Sequence, residues 1–172
     1  NDERAVVERY DSSTDTWNEV ASMGTERKYF GAATDANGRI YVMGGESQDG
    51  FESSVEQYDP STDTWSTVAS LSTVRTDLTA ASDGDGLLYA IGGGTSSAIF
   101  ESLVEQYDPS TDTWTTVASL GSAREYLAAA SDGDGFVYAI GGDLGSGTTE
   151  INEEVPIVEQ YNPATNTWSE IA

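Results

Sequence analysis

Three arginines, Arg27, Arg75 and Arg124, stand at the head of three similar stretches in a chain otherwise dominated by carboxylates. Two of them are followed, two positions on, by a tyrosine, Tyr29 and Tyr126, whereas Asp77 takes that place in the middle stretch. A guanidinium beside an aromatic ring can hold a carboxylate or another anionic group through forked hydrogen bonds and stacking. The same arginines could instead brace the scaffold by pairing with a carboxylate or carbonyl of a neighbouring unit, and the sequence leaves both readings open. The acidic turns TDANG (34–38), SDGDG (82–86) and SDGDG (131–135) carry hard oxygen ligands of the kind calcium prefers. They are shorter than an EF-hand loop and lack its distal bidentate glutamate, and hairpin-turn chemistry accounts for Asp83, Asp85, Asp132 and Asp134. Asp59 and Asp63 are expected to cap backbone N–H groups locally.

The residues that are missing narrow the chemistry further. The chain has no cysteine and no histidine. That removes disulfides, thiol nucleophiles, Ser-His triads and the usual zinc and copper ligand sets together. Carboxylates are numerous enough for a general acid and base, but no pair occupies a position that the sequence distinguishes. No catalytic residue, cofactor or metal site is expected, and the compartment stays open because no cysteine reports on it.

With 7 basic residues against 30 acidic ones the net charge is −23, and Lys28 is the single lysine. Nucleic acid is thereby disfavoured as a partner, and an anionic membrane surface with it. No apolar run approaches the roughly 18 residues of a membrane-spanning helix, so membrane insertion is not expected, and NDERAVVERY is too charged for a signal peptide. Such charge repels itself, and molar salt, with a Debye length of about 3 Å, screens that repulsion. The acidic, lysine-poor composition resembles that of proteins from salt-accumulating halophiles, although a solvated acidic surface would read the same way.

The elements that position these residues repeat. VERYDSSTDTWNEVAS, VEQYDPSTDTWSTVAS, VEQYDPSTDTWTTVAS and VEQYNPATNTWSEIA align without gaps, with Trp17, Trp65, Trp114 and Trp168 spaced by 48, 49 and 54 residues. Between them RIYVMGG, LLYAIGG and FVYAIGG end in glycine doublets at Gly44-Gly45, Gly92-Gly93 and Gly141-Gly142. Each period reads as four short strands, because the apolar runs are bounded by Gly, Pro, Asp and Ser and are too short for helices. In the last period the strands are expected at 126–131, 136–140, 157–161 and 167–171, joined by antiparallel hairpins. The first strand is built of small residues (GAAT, LTAAS, LAAAS), the second is almost wholly apolar and the fourth alternates. That order suits a blade with its first strand at a central axis.

The recurring tyrosine, glycine doublet, tyrosine and tryptophan resemble the kelch repeat. The markers are Tyr41, Gly44, Gly45, Tyr58 and Trp65, then Tyr89, Gly92, Gly93, Tyr107 and Trp114, then Tyr138, Gly141, Gly142, Tyr161 and Trp168. The resemblance implies an all-β fold, a kelch-type β-propeller segment of three complete four-stranded blades (27–69, 75–118 and 124–172) plus an N-terminal half-blade at 6–21. Closed propellers have about four to eight blades. The chain is therefore expected to be part of a larger propeller, the remaining blades coming from the same longer chain or from a homo-oligomer. Aromatic markers are expected to pack between blades and the glycine doublets to permit close approach.

The function implied is that of an interaction module offering a loop-built face to a protein or other extended ligand. A non-metal glycan- or sugar-active enzyme of the epimerase kind, or the ligand-binding part of a secreted or cell-surface protein, are the alternatives. The copper oxidase chemistry found on some kelch propellers needs histidine ligands that are absent here. The gap from doublet to next tyrosine varies, 13, 14 and 19 residues, whereas the tyrosine-to-tryptophan gap is constant at 7. The face carrying ESQDGFESS, GTSSAIFES and DLGSGTTEINEEVP, with Arg27, Arg75, Arg124, Tyr29 and Tyr126 beside it, is the expected ligand-binding face.

Overall fold

The computed structural model describes residues 5–96, 99–144, 153–154 and 156–171, and among them there is no helix. A two-stranded sheet comes first, β1 (Val7–Asp11) with β2 (Thr16–Val20). The first blade then has β3 (Gly31–Thr34) and β4 (Ile40–Met43), a small hairpin of β5 (Glu46–Ser47) and β6 (Gly50–Phe51), and β7 (Val55–Asp59) and β8 (Thr64–Val68). The second repeats the plan with β9 (Thr79–Ser82), β10 (Leu88–Ile91), the hairpin β11 (Gly94–Ser96) and β12 (Ile99–Phe100), then β13 (Val104–Asp108) and β14 (Thr113–Thr116). In the third, β15 (Arg124–Glu125) precedes β16 (Ala128–Ser131) and β17 (Val137–Ile140). The short β18 (Asp143–Leu144) and β19 (Glu153–Glu154) follow, then β20 (Val158–Asn162) and β21 (Thr167–Glu170). Sheet orders are β3-β4-β7-β8, β9-β10-β13-β14 and β16-β17-β20-β21, antiparallel throughout. The four strands expected in the last period are all present, the first of them beginning at Ala128.

Local chemistry accounts for the turns. Asp83 Oδ1 accepts from the backbone N–H groups of Asp85, Gly86 and Leu87 at 2.9, 3.1 and 3.1 Å, closing the β9–β10 hairpin. Its other oxygen accepts from the Tyr89 hydroxyl, which in turn accepts from Gln106 Nε2 at 2.7 Å. Asp35, Tyr41 and Gln57 form the same chain in the first blade, as do Asp132, Tyr138 and Gln160 in the third. Each hairpin is thereby bonded to its own second and third strands.

Blades pack face to face because β4 and β10 are apolar on both faces. One core joins Tyr41, Met43 and Val55 to Leu88, Ala90 and Tyr107, and a second joins Tyr89, Ile91 and Val104 to Val137, Ala139 and Tyr161. Across these seams Tyr41 meets Tyr107, and Tyr89 meets Tyr161, with ring centroids 5.5 Å apart in both cases. At the N-terminal end Trp17 and Tyr10 are 65% and 46% exposed, whereas Tyr58, Tyr107 and Tyr161, which match Tyr10 in the repeat, are buried. The difference has a plain cause: among the described residues no blade lies against the outer face of β1 and β2.

Candidate functional site

The arginines take up their roles before the rim is reached. Arg75 lies with its side chain fully buried, donating from Nη1 to the Gly92 and Leu103 carbonyls at 3.1 and 3.0 Å and from Nη2 to Glu105 Oε2 at 2.6 Å. Arg27 makes the same set with Gly44, Ser54 and Glu56, and Arg124 with Gly141, Ile157 and Glu159. Burial lowers the Arg75 pKa, and the Glu105 charge works against that shift. The bracing that the sequence left open is thus what the geometry carries, and the brace lies inside each blade, between its entrance and its third strand. The sequence set these three arginines beside the expected ligand-binding face, and the geometry differs there, since the guanidinium groups face inward. Their carboxylate partners escaped sequence reading, although the signal was there: a glutamate recurs between apolar positions in every VEQY.

The arginine backbone serves the neighbouring blade. Gly45 N–H donates to the Arg75 carbonyl at 2.7 Å, and Gly93 N–H to that of Arg124 at 2.9 Å. A Cβ added at Gly44 would come within 2.5 Å of the Arg75 oxygen, and one at Gly93 within 2.5 Å of the Thr76 oxygen. Both glycines also have positive φ, +65° and +92°. The doublets are there for close approach and for a backbone conformation that other residues take at a cost.

On the outer strands, Trp65 Nε1 donates to the Ala21 carbonyl, Trp114 Nε1 to that of Ala69, and Trp168 Nε1 to that of Ala118, at 2.7, 2.8 and 2.9 Å. The N–H of the same alanine donates, in each case at 2.8 Å, to Asp63, Asp112 or Asn166. Asp63 therefore reaches the preceding unit, and the local capping expected of it is corrected, while Asp59 does cap Ser61 within its own turn. Asp112→Ala is expected to lower the thermal midpoint by roughly 4–8 °C, the scale of two lost hydrogen bonds, from the Ala69 N–H and the Tyr107 hydroxyl, in a chain of this size. Asp112→Asn should lower it less, because Asn166 fills the same place in the third blade. Melting curves of the two variants beside the parent check this.

The rim itself is built where the chain enters each innermost strand. Lys28 bridges to Glu46, Thr76 to Gly94, and Glu125 pairs with Asp143, so the entrances and the loops between second and third strands share one face. Asp77 N–H donates to the Tyr29 carbonyl at 2.8 Å, and Tyr126 N–H to the Asp77 carbonyl at 3.1 Å, linking three blades in a chain of backbone bonds. Tyr29, Asp77 and Tyr126 all adopt left-handed backbone, with φ of 57°, 55° and 55°. Tyr29 and Tyr126 are 54% and 58% exposed on this rim. Among the described residues no group of three or more acidic residues is placed to hold a metal ion, and no helix is long and apolar enough to cross a membrane.

Four-stranded antiparallel sheets that stack face to face, with small residues on the first strand and each outer strand latched to the unit before it, define a segment of a β-propeller. The Kelch motif matches the chain at residues 2–24, 27–72, 82–121 and 133–172. The chain belongs to the kelch repeat family, whose repeats generally mediate protein interaction. No curated protein matches it.

Proposed function

We propose that this chain is a binding module whose ligand, a protein segment or another extended molecule, lies across the rim formed by the strand entrances and the loops between second and third strands. The observation that carries the reading is the contrast between a repeated, hydrogen-bonded blade frame and loops of unequal length on one rim. The opposite rim is closed by short aspartate turns that repeat with little change. Rigid frame and variable loops divide structural from recognition roles in the way that binding scaffolds do. Tyr29 and Tyr126 belong to this surface as exposed rings able to stack or to donate a hydrogen bond.

A peptide-display selection against the chain tests the proposal. Selected peptides are expected to lose binding when the sequence segments 48–49, 97–98 and 145–152 are replaced by Gly-Ser sequence of the same length. They should keep it when Asp85 and Asp134, on the opposite rim, become asparagine. Peptides indifferent to the loop replacement would overturn the reading.

A further inference from the structure

The three entrances carry different charges. In the first blade, Lys28 faces Glu46 across the bridge and their side chains approach to 3.5 Å. In the third, Glu125 faces Asp143, a like-charged pair directly across two strands, which is unfavourable unless something neutralises it. Asp77, on the blade between, adds a third carboxylate whose field acts on both Glu125 and Tyr126. Glu125 is only 8% exposed, and the charges nearest it, Asp77 and Asp143, are of its own sign. Asp77 Oδ1 is enclosed and unpartnered. Beside it the Thr76 hydroxyl, 4% exposed, meets no partner at full hydrogen-bonding geometry, although it lies close enough to the Asp77 carboxylate to lower its pKa. Buried polar groups are ordinarily satisfied, and two neighbouring exceptions, Thr76 Oγ1 and Asp77 Oδ1, indicate a missing partner. That partner must donate hydrogen bonds and carry positive charge, and the exposed rings of Tyr29 and Tyr126 on the same rim offer faces that attract cations.

We propose that the rim around Asp77 and Glu125, flanked by Tyr29 and Tyr126, receives an arginine or lysine side chain of the extended partner. This deepens the rim-binding reading and rests on it. The charge of the site is the reverse of what the arginines suggested in the sequence, because their guanidinium groups are spent inside the blades and the carboxylates remain. A forked guanidinium can satisfy two carboxylates at once, and the cation relieves the repulsion between Glu125 and Asp143.

Burial first, then the Asp77 and Asp143 charges, hold the Glu125 carboxyl up at about 7, and burial raises Asp77 as well, against the lowering contact of the Thr76 hydroxyl, with Glu46 adding to the rise and Lys28 opposing it. The charged and titratable groups around Glu125 are thus Asp77, Asp143, Tyr126 and Tyr29, with Lys28 and Glu46 beyond Asp77. Between pH 6 and pH 8 Glu125 loses its proton, so affinity for a cation should rise across that interval.

End-capped pentapeptides Gly-Gly-X-Gly-Gly, with X arginine, lysine, glutamine or glutamate, are the probes, titrated by NMR against the whole chain. The arginine and lysine peptides are expected to bind, more tightly at pH 8 than at pH 6, and the glutamine and glutamate peptides not to bind. Asp77→Asn with Glu125→Gln should weaken the arginine peptide by about ten-fold or more. Asp85→Asn with Asp134→Asn removes the same charge from the opposite rim and should leave it unchanged, separating a site from general attraction to an acidic protein. Tyr126→Asn, which suits the left-handed backbone, should also weaken binding and serves as an independent probe if the carboxylate variants fold poorly. Equal affinity in the Asp77/Glu125 variant, or no binding by either cationic peptide, would overturn the proposal. The segment replacements leave Asp77 and Glu125 untouched, so the selection judges the rim reading separately.

Discussion

Exchanging Arg75 for methionine is expected to destabilise the chain by about 3–5 kcal/mol, the usual cost of removing one partner from a buried ion pair. The reason lies in what is left behind. Glu105 is 1% exposed, and without the guanidinium it keeps only the Ser72 N–H, at 3.0 Å from Oε1. The Gly92 and Leu103 carbonyls lose a donor at the same time. Against a total stability of roughly 5–15 kcal/mol such a loss is large, and urea denaturation of the variant measures it. Arg75→Met combined with Glu105→Gln should recover part of the loss, because the neutral amide still offers an oxygen to Ser72 without an unpaired buried charge. A single variant within about 1 kcal/mol of the parent would mean that the guanidinium is not committed inside the blade.

Gly93→Ala is expected to cost about 2–4 kcal/mol, combining a left-handed backbone that alanine adopts at a penalty with overpacking against the entrance of its own blade. The added Cβ would sit 2.5 Å from the Thr76 carbonyl oxygen and 2.9 Å from Leu78 Cβ. The first contact is with backbone that is itself paired to Gly94, so it cannot move aside without breaking a bond at the rim. Gly133→Ala is the matching control, since its φ is +83° and a Cβ there meets nothing within 4 Å. The difference between the two denaturation midpoints isolates the close approach from the backbone preference, and equal losses would show that approach to be unimportant.

The hairpins were legible because their chemistry is local. Asp83 reaches its turn N–H groups within four residues, and the constant spacing from Tyr58 to Trp65 places both on one short β7–β8 hairpin, rings 5.1 Å apart. Side chains whose partners lie a strand or a blade away were misread or left open. Asp63 was expected to cap its own turn and instead holds Ala21, 42 residues earlier, because its left-handed backbone turns the carboxylate toward the preceding unit. Arg27, Arg75 and Arg124 head their repeats in the sequence, but position along the chain does not say whether a long side chain turns toward solvent or toward a glutamate about 30 residues further on.

By itself, the sequence determined the repeat, the four-strand period, the radial order from small to apolar to alternating, and the absence of histidine and cysteine chemistry. All of these follow from residue type and spacing along the chain. Tertiary structure alone decided the electrostatic character of the rim. Which charges face outward depends on which are consumed in pairs within the blades. The three arginines pair with Glu56, Glu105 and Glu159, and among the described residues the rim carries the carboxylates Asp77, Glu125 and Asp143 together with the Lys28–Glu46 pair. A count of charges cannot reveal that division, because pairing is set by distances of about 3 Å between residues far apart in the chain.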